Sequence, residues 1–183
     1  MLKHKAELIR FLGSDSWLME LLEAVESENL PDAWVCAGVI RRLVWDRQTG
    51  RHTTDKLDDV DVVCFDASDV SEEWEKAAEQ RLRLRLPQVP WSVKNQARMH
   101  HKNGLPPFRS TLDGVASFPE TCTAVAARLE HGRLRLAAPY GVEALLNMTI
   151  TPTPLYRSGA KHHIYRTRLR EKNWKSEWPE VRE

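Results

Sequence analysis

Residues 59–66 read Asp-Val-Asp-Val-Val-Cys-Phe-Asp, and no other stretch constrains the fold as much. Alternation at its start and the apolar run behind it fit a buried strand. Side chains two apart on a strand point to one face, so Asp59 and Asp61 stand side by side. Two adjacent carboxylates repel, and burying even one unpaired charge costs several kcal/mol. A chain keeps such a pair against a hydrophobic sheet when a cation neutralises it. Magnesium suits that position, because it takes hard oxygen ligands and bridges to substrate phosphates. Asp58 adds a third acid directly before the pair.

A second feature lies upstream. Ala33-Trp34-Val35-Cys36-Ala37 is a short apolar run typical of a buried strand, and Gly38 ends it. Residues 39–48 then take helical spacing, with Ile40, Leu43 and Val44 on one side. A glycine at a strand-to-helix turn lets the backbone approach a phosphate closely, and the helix that follows presents free N–H groups. Arg41 lies one turn into that helix, within reach of the same anion. Each signal alone is weak; their order, strand, glycine turn, helix, acidic strand, is more specific.

The remaining segments set the fold class. Residues 2–12 and 15–27 read as a helical lead-in, with Asp15 as an N-cap. Residues 49–58 are polar, contain Gly50 and predict a mobile loop. Asp69 or Ser71 caps a helix running to about Leu86, although the basic-leucine alternation of Arg81 to Leu86 also fits a strand. A strand over 91–96 and a loop-rich stretch over 97–116 follow. A short helix is expected near Pro119 and Glu120, and a hairpin over 125–138 with its tip at Glu130-His131-Gly132. Pro139 begins a last short helix. Strands and helices mix without regular βαβ spacing, which favours α+β. The 183 residues suit a single domain, with a core over about 31–154, the lead-in over 1–30 and a basic segment over 155–183.

Composition excludes several classes. The net charge of +1 argues for no particular partner. Between Tyr156 and Lys175 seven Lys or Arg residues face one acid, Glu171; a solvated helix face is the simplest reading, and contact with phosphates the functional one. Cys36, Cys64 and Cys122 are widely spaced in apolar surroundings, so packed thiols are expected, with neither a disulfide framework nor a zinc site. The adjacent pairs His100-His101 and His162-His163 point apart on a regular element and do not read as metal ligands. With no signal peptide and no apolar run long enough to span a bilayer, a cytoplasmic protein without a membrane partner is expected.

Five stretches carry a family likeness: AGVIRRLVWD (37–46), DVDVVCFD (59–66), WSVKNQARMH (91–100), FPETCTAVAARL (118–129) and APYGVEALL (138–146), followed by TPTP (151–154). Together they resemble the nucleotidyltransferase superfamily related to DNA polymerase β, and within it an uncharacterised bacterial nucleotidyltransferase-like family. The resemblance implies the polymerase-β-like fold, a mixed sheet with flanking helices. It implies Gly38 at the phosphate-side turn, and Asp59 and Asp61 as catalytic ligands of one or two magnesium ions. The reaction implied moves a nucleoside monophosphate from a nucleoside triphosphate to an acceptor, a small molecule, RNA or protein, and releases pyrophosphate. Arg41, Lys94, Asn95 and Arg98 are the further nucleotide-binding candidates. Active members carry Gly-Ser or Gly-Gly at the turn, whereas Val39 follows Gly38 here. They also carry a third carboxylate on a neighbouring strand, where Asn95 is the nearest match; Asp66, Asp113 and Glu120 are possible substitutes. A catalytically silent nucleotide- or RNA-binding module, or a toxin–antitoxin-type interaction protein on the same fold, are the alternatives.

Overall fold

A computed structural model describes residues 1–53 and 57–183, so the expected mobile loop at 49–58 falls partly outside the described residues. Helices α1 (Lys5–Ser14) and α2 (Ser16–Ser27) form the lead-in. They meet at Asp15, whose carboxylate accepts from the backbone N–H of Leu18 and caps α2. Strand β1 (Trp34–Cys36) leads directly into α3 (Gly38–Thr49), and Gly50 ends that helix at φ 71°. The left-handed conformation explains the glycine there.

Strand β2 (Val60–Cys64) is followed by α4 (Glu72–Arg85) and β3 (Trp91–Asn95). The Arg81–Leu86 ambiguity resolves as helix. Three glutamates in the first turn and two arginines in the last suit the helix dipole, and Ser71 caps the start. Residues 97–116, expected as loop, contain two short helices, α5 (Gln96–Met99) and α6 (Thr111–Ala116). Side-chain caps from Asn95 and Ser110 hold these helices, which are too short for hydrophobic periodicity to reveal. No helix opens at Pro119; residues 118–123 run as bends and turns, pinned where the Thr121 N–H donates to the Thr151 carbonyl and the Thr153 N–H to the Pro119 carbonyl. The hairpin is present as β4 (Ala126–Glu130) and β5 (Arg133–Ala137). Helix α7 is shorter than expected, Glu143–Leu146, and α8 (His162–Lys172) follows.

The five strands form one mixed sheet in the order β3-β2-β1-β4-β5. Only β2 and β3 are parallel, with α4 as their crossover; the other pairs are antiparallel. Alternation along the strands sorts two faces. Val35, Val60, Val62, Trp91 and Val93 join the larger apolar cluster with Leu8, Leu18, Ile40, Trp45 and Leu82. Trp34, Cys36, Val63 and Ala126 belong to a smaller cluster with Val115 and Ala124. The C-terminal segment packs with the rest: Trp174, Trp178 and Val181 are buried in the larger cluster, and the Trp178 indole N–H donates to Asp46 at 2.9 Å. The described helices include none long and apolar enough to cross a membrane.

Candidate active site

The sheet face with the smaller cluster carries a cavity of about 500 Å³. Its floor is Asp59, Asp61 and Val63 from β2 and its approach, with Ser92 and Lys94 from β3. Ala37, at the end of β1, stands beside them. Strand register explains the floor: β2 and β3 pair in parallel with Asp61 opposite Ser92 and Val63 opposite Lys94. The structure thus brings both acids to one cavity beside the β1–α3 turn. Asp59 is exposed and Asp61 half-buried.

Neither acid forms an ion pair among the described residues. Burial first, and the Asp59 charge second, push the Asp61 carboxyl up to about 6, against a stabilising hydrogen bond from Ser92 and the fields of Lys94 and Lys172. Under-neutralised carboxylates on a cavity floor are hard oxygen donors of the kind magnesium takes. These two residues therefore fit the ion. The described residues contain no group of three or more His, Cys, Asp or Glu able to hold a metal, so the pair would rely on water and substrate oxygens for the remaining positions. Burial and the two aspartates also push the Cys36 thiol well up, which leaves it a packed group.

The edge of the sheet is closed differently. Strand β3 has a free side, and two buried carboxylates of α4 accept its outward N–H groups: Glu79 from Val93 at 3.0 Å and Glu75 from Asn95 at 2.7 Å. Covering an edge in this way removes a template for unwanted strand pairing. Arg98 is taken up here. Its guanidinium grips Glu75 at 2.9 and 2.7 Å and reaches Glu72 at 3.1 Å, and it does not line the cavity. Asn95 is fully buried and points away from the acids. Its amide donates to the carbonyls of Asp66 and Asp69 and accepts from the N–H groups of Asp66 and Ala97. Three of these four hydrogen bonds hold the 66–69 turn to β3, and the fourth caps α5. Lys94 does face the cavity, with its ammonium 3.6 Å from Glu79 and 3.9 Å from Glu75.

At the β1–α3 turn the unusual backbone belongs to Ala37, at φ 58° and ψ −115°, a region that alanine rarely adopts. Gly38 itself is ordinary helix, and a Cβ there would only touch Leu57 at 3.8 Å. Among the described residues no side chain caps the start of helix α3, whose first N–H groups have no partner within the helix. Arg41 is buried one turn in, stacked on Trp174 at 4.9 Å and near Trp45 at 5.4 Å. It reaches the site indirectly, through a 2.9 Å hydrogen bond from Nη1 to the hydroxyl of Thr123, which lines the cavity.

Residues 23–182 match the model of a protein family described as nucleotidyltransferase. The chain belongs to that nucleotidyltransferase family. A solved NMR structure, described as one that reveals a CCA-adding enzyme head domain, is similar to all of this chain over 96% of its own length, at 33% identity and a TM-score of 0.88. No curated protein matches the chain.

In this family member the cavity's remaining walls come from residues that the sequence did not single out as site candidates. Met99, Lys102 and Phe108 form one side, Phe118 and Thr123 another, and Tyr156, Ile164 and Arg168 a third. Ile164 and Arg168 are four apart and share a face of α8, so the half-buried Arg168 lines the cavity while Arg166, Arg170 and Lys172 are exposed. The signal that exposes it is Glu120, a lone acid in an apolar stretch. A buried carboxylate requires a cationic partner, and Arg168 supplies it at 2.7 and 3.3 Å. The other substitutes for a third carboxylate are elsewhere: Asp66 accepts from Ser68 in its turn, and Asp113 pairs with Arg109.

Proposed function

We propose that this nucleotidyltransferase transfers a nucleoside monophosphate from a nucleoside triphosphate to an acceptor in a magnesium-dependent reaction. One observation carries the reading: Asp59 and Asp61 share the floor of a cavity, free of ion pairs among the described residues, beside an uncapped helix N-terminus. Asp59 and Asp61 would hold the metal. When bound, the ion would supply Lewis-acid stabilisation of the attacking and leaving oxygens at phosphorus. Ser92 donates to Asp61 and fixes its carboxylate. The Gly38 end of α3 offers backbone N–H groups to phosphate oxygens, and Lys94 adds positive charge over β3. Arg41 acts from behind by orienting Thr123, while Arg98 and Asn95 hold β3 in register. The likeness to a CCA-adding enzyme head domain supports nucleotide transfer as the chemistry.

One observation favours a second reading, a nucleotide-binding module that does not catalyse. Among the described residues lining the cavity there are only two carboxylates, and hence no protein base for a neutral acceptor. Incubation with α-labelled nucleoside triphosphates, magnesium and separate small-molecule, RNA and protein fractions distinguishes the two. The enzyme reading expects label in one fraction with stoichiometric pyrophosphate, and none with Asp59→Asn/Asp61→Asn. Tight nucleotide binding with no label transfer and no pyrophosphate in any fraction would establish the binding module instead.

A further inference from the structure

The wall of the cavity formed by α8 and by Tyr156, just before it, contains two groups that the acid pair does not account for. Arg168 lines the cavity, and its Nε and Nη2 are held by the fully buried Glu120, in a two-point grip that fixes the plane of the guanidinium. Tyr156 also lines the cavity and is fully buried, yet its hydroxyl has no hydrogen-bond partner among the described residues. A buried hydroxyl without a partner costs about 1–3 kcal/mol. Such an atom at a cavity wall is a site waiting for an acceptor from a ligand. The guanidinium can only donate and the hydroxyl can donate, so a ligand atom that meets both is an oxygen carrying negative charge. They stand with Thr123, which Arg41 bonds, and Arg41 belongs to the first turns of the uncapped α3. Thr123, Tyr156 and Arg168, from three separate segments, thus line the same cavity.

We propose that Arg168 and the Tyr156 hydroxyl form a phosphate clamp for the β- and γ-phosphates of the nucleotide, with Glu120 as a positioning residue that aims Arg168. This rests on the reading of the cavity as a nucleotide site. The clamp places the pyrophosphate leaving group against α8, away from the β3 edge. As the acceptor's nucleophilic atom bonds the α-phosphorus and releases its proton to solvent, the bond from that phosphorus to the bridging oxygen breaks, its electron pair goes to the pyrophosphate, and Arg168 stabilises the charge that gathers there. It also gives the C-terminal segment a functional role: one arginine of an otherwise solvated run completes the anion site.

The test uses inorganic pyrophosphate and the full-length protein, with calorimetric titration in chelator and thermal unfolding in parallel. It is run in the wild type and in an Asp59→Asn/Asp61→Asn background, where the metal site is disabled. Tyr156→Phe removes only an unpartnered hydroxyl. It should leave the melting temperature unchanged or higher and weaken pyrophosphate binding at least about fivefold, the effect of losing one hydrogen bond to a charged group. Arg168→Lys keeps the charge but loses the fork, and should weaken binding by at least about tenfold in both backgrounds. Unchanged pyrophosphate affinity in both variants overturns the clamp. So does a Tyr156→Phe protein that loses stability while binding normally, since that assigns the residue to packing alone. Failure of the nucleotide reading looks different: pyrophosphate binding would still depend on Arg168, while magnesium-dependent nucleoside triphosphate binding would be missing.

Discussion

Two pairs of acids flank strand β3, and they have opposite fates. Glu75 and Glu79, one helical turn apart on α4, are both buried and fully engaged. They accept the outward N–H groups of β3 and pair with Arg98, Lys76 and Lys94. Asp59 and Asp61, two apart at the head of β2, face a cavity and form no ion pair among the described residues, with Ser92 beside Asp61 favouring its charged form. Acids that have partners hold the sheet edge together. Acids without them, pressed towards a shared cavity, leave a charge to be met from outside. The difference lies in what surrounds each pair, since both are carboxylates close to the same strand.

The sharpest way to break this contrast is to neutralise each pair in turn. Asp59→Asn or Asp61→Asn should lower nucleotide transfer by about a thousandfold or more, on the scale that fixed charges contribute to a transition state, with the fold intact by circular dichroism. Glu75→Ala should do the reverse, lowering unfolding free energy by about 3–5 kcal/mol in denaturant titration, because it leaves Arg98 and the Asn95 N–H without their acceptor. If instead Glu75→Ala unfolds normally and abolishes transfer, the division between structural and functional acids is wrong.

Asn95→Asp sharpens the comparison further. It puts a third carboxylate on β3, but on the face away from the cavity. Two carbonyls lose their donor, so stability should fall by about 2–4 kcal/mol, and no gain in transfer rate should follow.

The smallest effect concerns Asp61 in the metal-free protein. Its folded pKa of about 6 lies above the ordinary 3.8, so the folded state holds the proton more tightly than the unfolded state. The stabilisation this gives is complete below the unfolded pKa and is lost as pH rises through the folded one. At pH 7 Asp61→Asn should therefore be more stable than the wild type by about 1–3 kcal/mol, and the gap should close as pH falls towards 4. Thermal unfolding in chelator between pH 4 and 8 measures it.

The floor of this candidate site was legible in the sequence because its signal is local. Two acids at a spacing of two, entering an apolar run, already place a charge problem on one face of a strand. The α+β class, the β1–α3 turn and the 125–138 hairpin follow from equally local patterns. The details that escaped depend on long-range partners. Arg98 looks like a phosphate ligand until Glu75, 23 residues away, is seen to hold it. Arg168 looks like one more solvated cation until Glu120, 48 residues away, turns it inward. Asn95 resembles a displaced catalytic residue, but its amide is taken by the 66–69 turn. The turn offered a subtler case. A glycine draws attention to position 38, while the strained backbone belongs to Ala37. Helices α5 and α6 were missed because four to six residues with side-chain caps leave no periodic trace.

The most direct measurement is the affinity for a non-hydrolysable nucleoside triphosphate with and without magnesium, by calorimetry, in the wild type and Asp61→Asn. Binding to the wild type should tighten at least about tenfold with magnesium, and the variant should show no such gain. Equal affinities with and without the ion, or an equal magnesium response in both proteins, would contradict a metal held by Asp59 and Asp61.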